Sequence, residues 1–209
     1  MYDEDYYERG VESGKSLYSN YRWIPELTIP MCSELISQLE IKEDETILDF
    51  GCAKGYLVKA FRLLHREAYG IDVSDYAINK AKDNVRAYLD LVDCRGPFPV
   101  MCKNDRYDWI IAKDVLEHVK YEDIDLVLTQ LSLIGKNIFI AVPLGDGKKY
   151  VVDSYELDKT HIIREDLEWW ASVLKKNFTV VSMNYKMKHI KENYQKYEKG
   201  NGFFILKTK

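Results

Sequence analysis

The stretch Ile47-Leu48-Asp49-Phe50-Gly51-Cys52-Ala53-Lys54-Gly55-Tyr56-Leu57 decides the reading of this 209-residue chain. Thr46 to Phe50 is a short, mostly apolar run, as expected of a strand buried on both faces. The run stops at Gly51. Small residues follow at 51, 53 and 55, and a helical period begins at Tyr56, with Leu57, Ala60, Phe61 and Leu64 sharing a face up to Arg66. A strand therefore runs through a glycine turn into a helix. At such a turn the backbone can approach a ligand closely, and the helix N–H groups face the crevice. In open α/β sheets, ligands bind at the carboxyl ends of strands where the strand order reverses. A nucleotide-like ligand is predicted beside Gly51.

The same alternation extends downstream. Ala68 to Ile71 reads as a second strand, ending at Asp72, and Ser74 caps a helix to about Arg86. Tyr88 to Val92 is a third strand ending at Asp93. Tyr107 to Ala112 is a fourth, followed by a helix over Tyr121 to Ile134 and a fifth strand over Asn137 to Val142. Upstream, a helix starts at Pro30, with Met31, Leu35, Ile36 and Leu39 on one face. Strands that alternate with helices imply parallel pairing through right-handed crossovers. After a long loop over 143–163, a helix over Arg164 to Lys176 precedes two strands, Phe178 to Met187 and Gly202 to Lys207, with no helix between them. The expected fold is α/β: a Rossmann-like, doubly wound, seven-stranded sheet, mostly parallel, with an antiparallel C-terminal strand pair. One domain is expected over 30–209, after a tyrosine-rich extension over 1–29.

Composition excludes other classes. Hydrophobic residues at 46% and charged residues at 31% are ordinary for a soluble globular chain. Thirty Lys+Arg against 34 Asp+Glu give a net charge of -4, so the chain has no global field to hold a polyanion, and nucleic acid is not an expected partner. No apolar run approaches the roughly 20 residues of a membrane span. The acidic opening Met-Tyr-Asp-Glu-Asp has no signal-peptide character. Cys32, Cys52, Cys94 and Cys102 form no CxxC pair and no zinc-ligand spacing. Reduced thiols, no metal and a cytoplasmic location are expected. Nothing in the sequence specifies an oligomeric state.

The identity of the ligand turns on spacing. The dinucleotide fingerprint GxGxxG puts Tyr56 at its third glycine, where a close helix–strand contact excludes so large a residue. The alternative is Asp49-x-Gly51-x-Ala53-x-Gly55. This resembles motif I of the class I S-adenosylmethionine-dependent methyltransferases, with Ala53 in place of the usual glycine. Asp72 lies 23 residues after Asp49 at the second strand end, where a carboxylate can accept ribose hydroxyls. The resemblance implies that Asp72 and Val73 hold the ribose, and that Asp93 and Cys94 meet the adenine. Tyr107 to Val119, with Lys113, Asp114 and Leu116-Glu117-His118, resembles the family's fourth-strand segment. It also implies Asp49, Gly51, Cys52, Ala53, Gly55, Lys113 and Asp114 as cofactor-binding residues. The cofactor is then S-adenosyl-L-methionine and the product S-adenosyl-L-homocysteine. Asp158-Lys-Thr-His161 looks like the substrate-side loop of the small-molecule and sugar methyltransferase branch. The resemblance covers about residues 30–209.

Transfer from a sulfonium needs an aligned acceptor, exclusion of water and, for a hydroxyl or an ammonium, a proton acceptor. Imidazole suits neutral pH. His161 is the first candidate, with Asp158 orienting it, and His118 is the second. His65 and His189 fall away from the strand ends. Cys52 lies in the cofactor loop without a partner His and is not read as a nucleophile. No Asp/Ser/Asn-Pro-Pro turn, Pro-Cys nucleophile or two-glutamate loop is present, which argues against DNA and protein-arginine acceptors. A small-molecule acceptor remains, first a hydroxyl of a sugar or glycan precursor, then a phenolic, quinone or amine metabolite. An NAD(P)-dependent oxidoreductase and a catalytically silent binding module stay open as other classes. Lys186, Lys188, Lys191, Lys196 and Lys199 against Glu192 and Glu198 form a basic connection that could steer a phosphorylated sugar. Sixteen residues are Tyr, and Tyr2, Tyr6, Tyr7, Tyr18 and Tyr21 precede Arg22. Tyr18, Tyr21 and Trp23 are predicted to form a lid over the site, with Tyr2, Tyr6 and Tyr7 further out.

Overall fold

The apolar runs pair as strands that are buried on both faces should. The computed structural model describes residues 1–209. Its strands are β1 (Thr46–Phe50), β2 (Glu67–Asp72), β3 (Leu89–Leu91), β4 (Tyr107–Lys113), β5 (Gly135–Pro143), β6 (Phe178–Asn184) and β7 (Asn201–Thr208). They form one seven-stranded sheet in the order β3-β2-β1-β4-β5-β7-β6. β1 to β5 pair in parallel, and β7 runs antiparallel to both β5 and β6. The order reverses between β1 and β4, so a crevice opens there at the carboxyl ends.

Side-chain alternation divides the core between two faces. Leu48, Ile110, Ile138 and Phe204 point to the face covered by α7 (Ile124–Ile134) and α8 (Leu167–Leu174), with Leu128, Leu131 and Trp170 packed on them. Ile47, Ile111, Phe139 and Ala141 point to the other face, covered by α3 (Pro25–Gln38) and α4 (Tyr56–Leu63) through Cys32, Leu35, Val58 and Phe61. Asp108 pins the edge of this arrangement. Its Oδ2 accepts from the Thr46 N–H and hydroxyl, both at 2.9 Å, and its Oδ1 from Lys136 at 2.6 Å.

Several helix boundaries differ from the periodicity. α3 begins at Pro25, five residues before the expected start, and continues through Pro30. A proline near a helix start removes few backbone bonds, and burial of Cys32 and Leu35 carries the helix past it. The helix expected from Ser74 to Arg86 is two: α5 (Asp75–Lys80) and α6 (Asp83–Arg86), separated by extended backbone at Ala81 and Lys82. The last two helices are shorter than their periodic stretches, because Asp166 caps α8 at the Trp169 N–H (2.8 Å) and α7 begins at Ile124.

The largest departure is at the start of the chain. The tyrosine-rich extension, for which the sequence predicts no regular element, contains α1 (Glu4–Glu8) and α2 (Gly10–Ser13). Asp3 caps α1 by accepting from the Tyr6 N–H at 3.0 Å. The segment folds back on itself through Tyr21 N–H to Tyr7 O (3.0 Å) and Val11 N–H to Tyr18 O (3.0 Å). It is fastened to the rest of the chain by polar contacts. Ser74 Oγ donates to Tyr2 O at 2.6 Å, Lys159 N–H to Lys15 O at 3.0 Å, and Lys54 Nζ to Glu8 and to Tyr21 O.

Candidate active site

The carboxyl ends of β1 to β4, roofed by the N-terminal segment, enclose a cavity of about 700 Å³. Gly51 and Ala53 bring the backbone to its wall, both in the left-handed region (φ 78° and 49°). A side chain at Gly51 could not be housed, since a Cβ there would meet Val115 Cγ2 at 2.4 Å. Four of the five amides of this turn, all but that of Lys54, are spent within the protein. Gly51 and Cys52 donate to Ile71 O, Gly55 to Cys52 O, and Ala53 to Asp72 Oδ2 at 2.7 Å. The turn's contribution is therefore close backbone approach, and less the open N–H groups expected of it.

Asp72 organises this end of the cavity. Its other oxygen accepts from the Ser74 N–H at 2.7 Å. Burial pushes its pKa up, against the backbone N–H groups of Ser74, Ala53 and Val73 that hold the charged form. Each oxygen keeps a lone pair after these bonds, which leaves the carboxylate able to accept two hydroxyls. Val73, Asp93 and Cys94 line the same wall. Asp93 Oδ1 also accepts from the Arg95 N–H at 2.9 Å.

Asp49, Cys52, Gly55 and Lys113 lie behind the wall. Cys52 turns under β2 against Gly70, and burial holds its thiol pKa well above the ordinary value, which suits a core residue. Gly55, at φ 74°, packs on Leu89. Burial first, then the nearby Asp72, pushes Asp49 up to about 7, with Lys113 opposing. A raised carboxyl pKa contributes stability below its unfolded value and loses it as pH rises through the folded value. Here that window runs from 3.8 to about 7. Asp49→Asn is thus expected to be more stable than the wild type in the ligand-free state. The advantage should grow by on the order of 2 kcal/mol from pH 5 to pH 8. Melting curves at the two pH values test this, and an advantage independent of pH would refute it.

At the opposite end, β4 runs into Asp114 and the short turn Leu116–His118. Burial alone would raise Asp114, but Lys113 (2.5 Å) and Lys191 pair with it and hold its carboxyl well below the usual range. Lys191 is the middle of the basic connection. It is buried in this pair and is not a free steering charge, a correction to the sequence reading.

The two histidines divide differently from expectation. His118 lines the cavity, whereas His161 lies behind it, ring against ring at 4.7 Å between centroids. Asp158 does not hold His161. It accepts from Thr160 Oγ at 2.6 Å and from the Thr160 N–H at 2.9 Å, and Thr160 Oγ in turn meets His118 Nδ1 at 2.8 Å. The Thr160 proton goes to the carboxylate, so the hydroxyl oxygen accepts from Nδ1–H, and His118 keeps its lone pair on Nε2. Burial, and then the adjacent His161, lower His118 to about 4, with Asp158 opposing. Burial likewise lowers His161. Glu117, fully enclosed beside them, is pushed up to about 8 by burial and by Asp114. The sequence does not single out Glu117, because a glutamate before a histidine reads as a turn-end charge until its burial is known.

The tyrosines are also reordered. Tyr2, Tyr6, Tyr7 and Tyr18 line the cavity. Tyr6 donates its hydroxyl to Asp158 Oδ2 at 2.9 Å, and Tyr2 meets His118 edge to face at 5.8 Å. Tyr21 stands one layer back against Tyr18 and Tyr56. Trp23 is outside, under Lys59, and lines no part of the cavity. Tyr2, Tyr6 and Tyr7 thus lie further in than Trp23, because the α1–α2 turn folds that part of the chain inward.

Residues 27–182 match the family described as a methyltransferase domain. Solved structures of the same fold include a SAM-dependent methyltransferase from Archaeoglobus fulgidus, at 15% identity and TM-score 0.64, covering 88% of this chain and 97% of that one. An S-adenosylmethionine-dependent methyltransferase from Clostridium acetobutylicum ATCC 824 has 13% identity and TM-score 0.60, covering 88% and 92%. The PH0226 protein of Pyrococcus horikoshii OT3 has 13% identity and TM-score 0.60, covering 90% and 98%. No curated protein sequence matches the chain. No helix is long and apolar enough to cross a membrane.

Proposed function

We propose that this chain, which belongs to the methyltransferase-domain family, moves a methyl group from S-adenosylmethionine to a hydroxyl of a small, sugar-type acceptor. The residues at the strand ends fit that cofactor. Gly51 and Ala53 bring backbone to the cavity wall, Asp72 has lone pairs left for a ribose, and Leu91 and Val92 offer an apolar flank to a base. The cofactor supplies a methyl already activated on a sulfonium. The protein's own tasks are to hold the acceptor in line, exclude water and take up a hydroxyl proton.

The observation that carries the hydroxyl reading is the His118 end of the cavity. The Asp158–Thr160–His118 chain fixes the ring and leaves Nε2 with a lone pair. His118 therefore marks where the acceptor oxygen sits. An ammonium acceptor would give up its proton there as well, so the choice of a sugar hydroxyl rests on the walls beside His118. The rings of Tyr2 and Tyr6 flank the same place, and Tyr–Tyr walls suit the C–H faces of a sugar. The charge of the lining disfavours an anionic acceptor such as a sugar phosphate: Asp72, Asp75, Asp93, Asp114 and Asp123 line the cavity against Lys120.

A screen of sugars, sugar phosphates, phenols and amines with a labelled methyl donor tests the reading. Label is expected on a sugar oxygen. His118→Ala should lower turnover by about 10²–10⁴-fold, while S-adenosylhomocysteine affinity changes less than threefold. Label that falls only on amines would overturn the hydroxyl reading, and label on phenols would move the acceptor to an aromatic alcohol. Full turnover in His118→Ala would remove His118 from the mechanism.

A further inference from the structure

The cluster behind the acceptor end has more lone pairs than its hydrogen bonds use. Both carboxylate oxygens of Glu117 lack a partner, although the side chain is 1% exposed. Leaving such a group unsatisfied costs about 1–3 kcal/mol or more, so a buried orphan calls for an explanation. His161 Nε2 lies 4.0 Å from Glu117 Oε1, too far for a hydrogen bond. One ligand atom from each of Glu117, His118 and His161 falls within 4.8 Å of the others.

The outer contacts of the two imidazoles point the same way. His161 Nδ1 meets the Tyr155 carbonyl at 2.9 Å. A carbonyl can only accept, so Nδ1 carries the hydrogen and Nε2 the lone pair. His118 has the same tautomer, set by Thr160 and Asp158. A ring whose far N–H is held by a backbone carbonyl or a carboxylate-backed hydroxyl is the usual support of a metal-ligating histidine. Bonds of about 2.0–2.2 Å place ligand atoms roughly 3–4 Å apart, so side-chain shifts of about an ångström would close the set. Two imidazoles and one carboxylate, with coordination positions left over, suit a divalent transition metal better than calcium or magnesium.

We propose that Glu117, His118 and His161 bind one divalent ion of the zinc–manganese type. The ion neutralises the buried Glu117 carboxylate and gives its two oxygens the partner that the protein does not supply. For its use, the proposal rests on the reading above: with His118 Nε2 on the ion, the acceptor oxygen would sit against the ion instead of against His118, and its proton, made more acidic there, would leave to solvent. Binding itself does not depend on which acceptor is methylated.

The test is made on the full chain without donor or acceptor. Protein freed of metal by a chelator is titrated calorimetrically with Zn²⁺ and, separately, Mn²⁺. Co²⁺ absorption reports the ligand geometry. One ion per chain is expected. Affinity should fall at least 100-fold in Glu117→Gln and in His161→Asn, and about 10–100-fold in Asp158→Asn, which touches no ion directly. His189→Ala removes the exposed His189–Glu192 pair (2.9 Å) and should leave affinity within threefold. Circular dichroism checks that each variant folds, and Asp158→Asn serves if Glu117→Gln does not. Absence of a stoichiometric ion overturns the site whatever the acceptor screen returns. Binding that survives both Glu117→Gln and His161→Asn, or that is lost in His189→Ala, overturns it as well. Stoichiometric binding with methylation only of amines would leave the site standing and overturn the hydroxyl reading instead.

Discussion

Deletion of residues 1–22 is expected to weaken S-adenosylhomocysteine binding by roughly 10–100-fold and to reduce methyl transfer by at least about 100-fold. Four tyrosines of that segment line the cavity, and Tyr6 and Tyr7 are each only 4% exposed. Removing them opens the reacting centre to water and discards apolar wall that would touch the cofactor. The segment also partners groups that stay behind. Lys54, 7% exposed, would lose Glu8 and the Tyr21 carbonyl, and Asp158 would lose the Tyr6 hydroxyl. The buried rings of Tyr6 and Tyr7 and these polar fastenings are lost together, so the melting temperature should fall too. Calorimetry and turnover of the chain from Trp23 onward provide the measurement. Tyr6→Phe separates the contributions, since it keeps the ring and removes only the bond to Asp158. Unchanged affinity and turnover in the deletion would mean that the segment is only a covering.

Asp72→Ala is expected to abolish detectable cofactor binding, a loss of about 100-fold or more. Two effects combine. The carboxylate presents its remaining lone pairs to the cavity, and the same two oxygens hold the Ala53 and Ser74 amides at 2.7 Å. Without them two buried N–H groups are left unsatisfied, at about 1–3 kcal/mol each, and the Gly51–Gly55 turn loosens. A fall in melting temperature of roughly 5–10 °C should accompany the lost binding. Asp72→Asn is the finer probe. Its oxygen can still accept one of the amides, but its NH₂ faces the other donor, so an intermediate loss is expected in both measurements. Wild-type affinity in Asp72→Ala would show that the strand end is a structural clamp alone.

The sheet was readable from residues because its signal is local. Thr46–Phe50, Tyr107–Lys113 and the two C-terminal strands are short apolar runs bounded by turns, and sheet burial demands such runs. Asp72 and Asp93 were readable for a related reason: residues at the ends of parallel strands share one edge of the sheet by construction. The break at Ala81–Lys82 was not readable, since its apolar residues keep helical spacing across it.

The expected Asp158–His161 side-chain pair is not made, for a different reason. Asp158 and His161 stand three apart, which suggests a pair, but the turn between them directs Thr160 to the carboxylate and sends His161 to the Tyr155 carbonyl. The same folding brings Glu117 and His161 together from opposite sides of a strand and a helix, at a separation that no ligand-spacing pattern covers. Trp23 and Tyr6 exchange places for a similar reason, because a reverse in the first 22 residues turns the most distant tyrosines inward.

The residues alone therefore specify the alternating strands and helices, the order reversal at β1 and the acids along its edge. These follow from periodicities and strand ends that each stretch of chain carries within itself. Which imidazole faces the cavity, which tyrosines wall it and whether Glu117 is buried all depend on contacts between segments such as those 42 and 152 residues apart. An example is the Tyr6–Asp158 bond, which spans 152 positions. Such contacts are set by how loops close over the sheet, and burial and partnering, unlike periodicity, exist only once they have closed.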